Sequence, residues 1–151
     1  MNAAVGAPIC AAMRPEEIAA RSGSNFLAGF VCLGAERRRG MTAIYAFCRV
    51  VDDAVDDAPD APTGRAHLRF WRDELTAAAA GTAHTPVGIE LQRTMQRFAV
   101  AREPLDALLD GVAMDLEHRG IADDAELHLY CARVASAVGR ACLPVLGAHG
   151  P

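Results

Sequence analysis

An all-α fold is what this sequence predicts, on three observations. Alanine is abundant while aromatic residues make up only 5% of the chain, a composition suited to closely packed helices rather than a sheet. Apolar residues recur at the helical spacing along most of the 151 residues. No segment alternates convincingly with the period of two that marks a strand.

The elements follow in order. Residues 1–20 read as a loose N-terminal segment in which Pro15 opens a short helix to about Ala20. The segment lacks a basic start, contains Pro8 and is too short to span a bilayer. Ser24 or Asn25 caps the next helix. A long helix is predicted from Ala35 to Asp57, then a loop over Ala58–Gly64 rich in Pro, Asp and Gly. Arg65–Ala80 forms a helix carrying Leu68, Trp71 and Leu75, and Gly81 ends it. Pro86–Phe98 starts with a proline in its favoured first turn. Glu103–His118 and Asp124–Leu146 complete the set. With no repeat and no linker, residues 21–151 read as one helical unit, and no 18-residue apolar run stands out.

Composition narrows the function classes. A formal charge of −4 and a pI of 5.7 give no nucleic-acid footprint. The basic cluster Arg37-Arg38-Arg39 is a solvated helix start, or a site that meets anionic lipid or diphosphate. Five cysteines without paired spacing argue against a disulfide framework or a zinc site and point to a reducing cytoplasm. Cys48, Cys131 and Cys142 fall on apolar helical faces and read as core residues. The histidines at 67, 84, 118, 128 and 149 are scattered, without metal-ligand spacing.

The chemistry concentrates in Tyr45-Ala-Phe-Cys-Arg49 followed by Asp52-Asp53-Ala-Val-Asp56-Asp57. At about 100° per residue, with Tyr45 at zero, Arg49 falls near +40°, Asp52 near −20° and Asp56 near +20°. These four share one stripe. Met41, Ile44, Cys48, Val51 and Val55 form an apolar stripe about 80° to one side, while Asp53 and Asp57 lie on the other flank, nearer solvent. Like carboxylates one turn apart repel by a few tenths of a kcal/mol, roughly, in an isolated helix. Magnesium, which takes one or two carboxylates, several waters and substrate phosphates, would offset that repulsion at Asp52 and Asp56. Arg49 would grip a phosphate oxygen or neutralise the acids without metal, and Tyr45 would offer its hydroxyl to the same pocket. Acidic runs are usually solvated faces, and DDAVDD also leads into a loop. Four acids at a helix C-terminus oppose the macrodipole, however, which adds weight to the functional reading.

Residues 21–57, RSGSNFLAGFVCLGAERRRGMTAIYAFCRVVDDAVDD, resemble the opening of the squalene and phytoene synthase family. A second block resembles the family's middle signature: Asp110-Gly-Val-Ala-Met-Asp115-Leu, then Leu129-Tyr130-Cys131-Ala-Arg-Val134-Ala-Ser-Ala-Val138-Gly139-Arg140. The wording of both is nearest the bacterial presqualene diphosphate synthases of hopanoid pathways, with phytoene and squalene synthases as near neighbours. The resemblance covers about residues 20–147 and only the N-terminal half of a family member. A second aspartate-rich helix of the family, in an Asn-x-x-Arg-Asp-x-x-x-Asp context, is absent from this sequence. Leu33-Gly34 replaces a usual Leu-Pro, and Gly120-Ile121 a usual Arg-Tyr.

The resemblance implies the N-terminal half of an isoprenoid-synthase-type helical bundle. It also implies a magnesium-dependent prenyltransferase of squalene, hopanoid or carotenoid biosynthesis, acting on farnesyl or geranylgeranyl diphosphate. Two farnesyl diphosphates would give presqualene diphosphate with release of diphosphate. Asp52 and Asp56 would hold metal, with Arg49 and Tyr45 beside them. Ser22, Ser24, Arg49, Asp53, Asp115 and Tyr130 would meet substrate. On the residues alone, Asp115 either pairs with an arginine such as Arg119 or turns toward a polar cavity, and Tyr130 is either a core tyrosine or a cavity wall. Ser22 and Ser24 equally suit a cap or turn. The alternatives are a catalytically incomplete prenyl-diphosphate-binding subunit, a truncated gene product, or an unrelated helical protein with an acidic loop. A half-domain is also expected to leave apolar surface exposed, favouring self-association, a complementary chain, or peripheral membrane contact.

Overall fold

A computed structural model describes residues 6–117 and 120–148, and all of its regular elements are helical. A 3-10 turn at Ile9–Ala12 leads into α1 (Pro15–Arg21) and α2 (Phe26–Phe30), followed by the long α3 (Ala35–Asp56). Then come α4 (Ala61–Ala80), α5 (Pro86–Phe98) and α6 (Glu103–Asp115). The last stretch comprises α7 (Asp124–Cys131), a π-turn (Ala132–Ser136) and α8 (Ala137–Leu146).

α3 is the axis of the bundle, packing against α1, α2, α4, α5, α6 and α8. Its apolar surface is wider than a single stripe, because Ala43, Ala46, Phe47, Val50 and Ala54 are buried as well as Met41, Ile44 and Val51. Small residues let neighbours close in: a Cβ on Gly40 would lie 3.1–3.2 Å from Phe98, Thr94 and Val145. Trp71 of α4 is fully buried and meets Phe47 edge-on with ring centroids 6.4 Å apart. Ile18 and Ala19 of α1 are buried, and α1 lies along α3.

The predicted boundaries of α1, α3 and α5 agree with the structure to within a residue. α4 differs, starting at Ala61 inside the segment expected to be a loop. Asp60 caps it by accepting from the Thr63 N–H at 2.7 Å, and Pro62 suits a first turn that needs no N–H. Gly81 and Gly147 close α4 and α8 in the left-handed conformation, at φ 83° and 90°.

The connection between α4 and α5 is pinned by a buried carboxylate. Oε1 of Glu74 accepts from the His84 N–H at 2.8 Å, the Thr85 N–H at 2.7 Å and the Thr85 hydroxyl at 3.0 Å. Thr85 then caps α5 through Gly88. Across the surface of the bundle, Arg39 pairs with Glu90 and Arg97 with Glu36, so the basic cluster is partly spent on ion pairs within the chain. Arg38 donates to the Val31 and Leu33 carbonyls, tying the end of α2 to α3.

Asp124–Leu146 was expected to be one uninterrupted helix, but the π-turn divides it. The 23-residue stretch is long and apolar enough, by length and composition alone, to cross a membrane, although no such run stood out in the sequence. Ala137, Ala141 and Val145 are fully buried, whereas Leu127, Leu129, Leu143 and Leu146 are exposed. Cys131, expected on an apolar helical face, is exposed together with Leu127, because the π-turn breaks the register that a continuous helix would keep.

Candidate functional site

A cavity of about 770 Å³ opens beside α3, walled by Met41, Ile44 and Cys48 on one side and Val134, Val138 and Cys142 on the other. Leu108 and Val112 of α6 and Phe30 of α2 also line it. Its polar lining consists of Ser24, Tyr45, Arg49, Asp52 and Tyr130. The helix therefore does what its spacing predicts for Tyr45, Arg49 and Asp52, which share one cavity-facing stripe. Tyr45 meets Phe30 edge-on, ring centroids 6.4 Å apart.

The acids at the end of α3 divide differently from the prediction. Arg49 makes its short contact, 2.6 Å, to Asp53 and reaches Asp52 at 3.4 Å. Asp53 is the more sheltered, its side chain 25% exposed against 47% for Asp52. It was expected nearer solvent. The reason is tertiary, since the N-terminal segment lies over this flank of α3. Burial and then the fields of Asp53 and Asp57 push the Cys10 thiol up. Asp56 and Asp57 are exposed.

Asp115, at the end of α6, accepts a hydrogen bond from the Tyr130 hydroxyl at 3.2 Å. The alternative partner, Arg119, lies outside the described residues, as do His118 and His149. Asp115 also feels the field of Asp56, and Asp52 feels both Asp56 and Asp115, so three carboxylates from two helices gather on one side. Burial first, then the neighbouring Asp56 charge, raises the carboxyl of Asp52 above its ordinary range despite Arg49. Burial likewise raises Asp53 against the pull of Arg49, and raises Asp115 against its bond from Tyr130. The Tyr130 phenol is raised by burial and then by Asp115. Burial pushes the Cys48 thiol up to about 12, which keeps it an uncharged part of the apolar wall.

Two serines separate in role. The Ser22 hydroxyl donates to the Ala19 carbonyl at 2.8 Å at the end of α1, while Ser24 lines the cavity. Cys131 is exposed rather than in the core, and Cys142 lines the cavity. Phe30, Leu108, Val112 and Cys142 were not singled out from the sequence as cavity walls. Leu108 and Val112 are four apart on α6 and so share one apolar face, and nothing in such spacing tells a core face from a cavity face. Among the described residues no group of three or more His, Cys, Asp or Glu is arranged to ligate one ion, so any metal here would need ligands from water or substrate.

An all-helical bundle with an acidic rim over an apolar cavity defines the class, and sequence comparison gives the family. Residues 19–151 match the model of the squalene/phytoene synthase family, and the chain belongs to that family. It is 39% identical over 126 residues to presqualene diphosphate synthase of Rhodopseudomonas palustris, covering 83% of this chain and 45% of that protein. With presqualene diphosphate synthase of Zymomonas mobilis it shares 40% over 126 residues, covering 82% and 43%. Phytoene synthase of Arthrospira platensis is 33% identical over 135 residues, covering 89% and 44%. The chain thus spans under half the length of these relatives. Among solved structures, squalene synthase HpnC from Alicyclobacillus acidocaldarius superposes with a TM-score of 0.77 at 30% identity, covering 90% of this chain and 51% of that one. A dehydrosqualene synthase in complex with ligand gives 0.78 at 27%, covering 87% and 45%.

Proposed function

We propose that this chain binds a prenyl diphosphate and contributes the first half of a head-to-head prenyltransferase site of isoprenoid biosynthesis. The observation that carries the reading is the placement of Arg49 and Asp52 at one polar edge of a deep apolar cavity, with Asp56 and Asp115 close by. An isoprenoid chain suits the Ile44, Cys48, Val134 and Val138 walls, and a diphosphate suits the polar edge.

The donor set fits magnesium, because Asp52 and Asp56 offer two hard oxygen ligands whose mutual repulsion a divalent cation would relieve. When bound there, magnesium would supply Lewis-acid stabilisation to a departing diphosphate. Arg49 adds a fixed positive charge for the same phosphate oxygens. Ser24, Tyr45 and Tyr130 offer hydroxyls on the polar side of the cavity. In the reaction, the C1–O bond of the first allylic diphosphate breaks and its electron pair leaves with the diphosphate. The double bond of the second prenyl diphosphate captures the carbon cation, and loss of a proton closes a cyclopropane. The apolar walls keep water from that cation. Two farnesyl diphosphates would yield presqualene diphosphate, as in hopanoid formation, and two geranylgeranyl diphosphates the carotenoid precursor. Five free cysteines suit a reducing cytoplasm, and exposed leucines on α7 and α8 suit peripheral contact with a membrane or an added protein surface.

The test is thermal unfolding with farnesyl thiodiphosphate and magnesium, separately and together. A stabilisation seen only with both supports the reading, because a ligand specific to the native state raises its stability. No shift with both, in a chain that unfolds cooperatively, removes it.

A further inference from the structure

We infer that the π-turn at Ala132–Ser136, seated on Gly111, is the positioning device that turns Tyr130 out of the helix-packing face and into the cavity. The register of the flanking helices carries the argument. At about 100° per residue, with Ala137 at zero, the fully buried Ala141 and Val145 lie near 40° and 80°. In an unbroken α-helix Tyr130, seven residues before Ala137, would fall near 20°, inside that packed stripe. A π-turn closes with one residue more than an α-turn, and the Ala137 N–H accordingly donates to the carbonyl of Ala132, five residues back. That extra residue removes about 100° from the accumulated rotation and moves Tyr130 to about 120°. Val138 and Cys142 stand near 100° and 140°. All three line the cavity, and the Tyr130 hydroxyl reaches Asp115 at 3.2 Å.

Gly111 is the complementary part on α6. A Cβ there would lie 2.7 Å from the Arg133 Cβ and 2.8 Å from the Val134 Cγ1, so the widened turn rests directly on the glycine. α8 is anchored by three fully buried side chains, whereas α7 has no buried residue. A change of register in the turn would therefore rotate α7 and Tyr130 with it, leaving α8 in place.

Deleting Ser136 tests the device, since it restores an α-turn without removing a cavity-lining side chain. The first readout needs no ligand and does not rest on the proposed function. In the Tyr45→Phe chain Tyr130 is the sole tyrosine, and its ¹³Cζ resonance reports the phenol titration. The parent should titrate above the ordinary value of about 10, and Asp115→Asn should bring the midpoint down. In the deletion chain burial in the packing face would itself keep the phenol raised, but the midpoint should no longer depend on Asp115, so that Asp115→Asn leaves it unmoved. The second readout, which does rest on that function, is affinity for magnesium with farnesyl thiodiphosphate. Tyr130→Phe should weaken it about tenfold in the parent, as loss of a hydrogen bond to a charged group does, and not further in the deletion chain. If the deletion chain does not fold by circular dichroism, Gly111→Ala, which presses on the turn from α6, should instead weaken the dependence of the Tyr130 midpoint on Asp115. An ordinary midpoint in the parent, or a raised and Asp115-dependent midpoint in the folded deletion chain, overturns the inference. So does an undiminished dependence on Asp115 in Gly111→Ala.

Discussion

Arg49 holds Asp53 at 2.6 Å and Asp52 at 3.4 Å, so the single arginine on this stretch of α3 is committed to the sheltered acid and only leans toward the exposed one. Asp52 is consequently the carboxylate left with unused acceptor capacity at the cavity. Arg49→Ala should weaken binding of magnesium with farnesyl thiodiphosphate by about tenfold or more, the worth of a charge-assisted contact. Arg49→Lys should recover part of it, because the charge returns without the planar fork. Calorimetric titration of both variants checks the order.

Asp56→Asn separates binding from stability. Without metal the substitution removes a like charge beside Asp52 and Asp115 and should raise thermal stability slightly, by less than about 0.5 kcal/mol. It should also abolish the magnesium-dependent response to prenyl diphosphate, as should Asp52→Asn. Wild-type affinity in both variants would remove the metal-site assignment.

The pH dependence follows from the three raised carboxyls, Asp52, Asp53 and Asp115. A group whose folded pKa lies above its unfolded value contributes stability that is complete below the unfolded value, about 3.9 for aspartate, and is lost as pH rises through the folded one. Above about pH 4 these sites therefore progressively lose stability in the metal-free chain. Glu17, Glu36 and Glu90 are lowered by arginine partners or backbone bonds and act in the opposite sense, losing their contribution as pH falls. The difference in melting temperature with and without magnesium should accordingly be near zero at pH 4 and grow toward neutrality. A difference independent of pH would contradict the carboxylate origin.

Gly88→Ala should destabilise the chain by about 1–3 kcal/mol, the usual range for overpacking. The new methyl would press on Glu74, whose Cδ lies 2.8 Å from the Cβ position. Glu74→Ala should cost stability too, because it removes the Oε1 that accepts three hydrogen bonds from the loop before α5. Urea unfolding followed by the single tryptophan, Trp71, measures both.

Legibility in the sequence tracked how local each determinant is. The i, i+4 spacing of α3, the proline opening α5 and the glycine ending α4 act within one or two turns, and each was readable. The start of α4 is also local, but the loop-like run of Pro, Asp and Gly masks it: Asp60 before Pro62 makes that residue a first-turn proline. The sheltering of Asp53 was not readable, because it depends on where a segment forty residues away comes to rest. The outward turn of Cys131 is not readable, for a different reason. Counting at a constant angle presumes an unbroken α-helix, and one extra residue in a turn rotates everything before it.

Two parts of the cavity lining, α3 and the Tyr130 edge carried by α7, differ in how they are held. α3 is gripped by neighbours along its length, whereas α7 carries no buried side chain. In native-state hydrogen exchange the amides of α3 should therefore exchange only with global opening, and those of α7 through local fraying with a far smaller free energy. A guest entering the cavity would find the α3 and α8 walls already set and the Tyr130 edge able to accommodate it, so part of its binding free energy would go into ordering that edge.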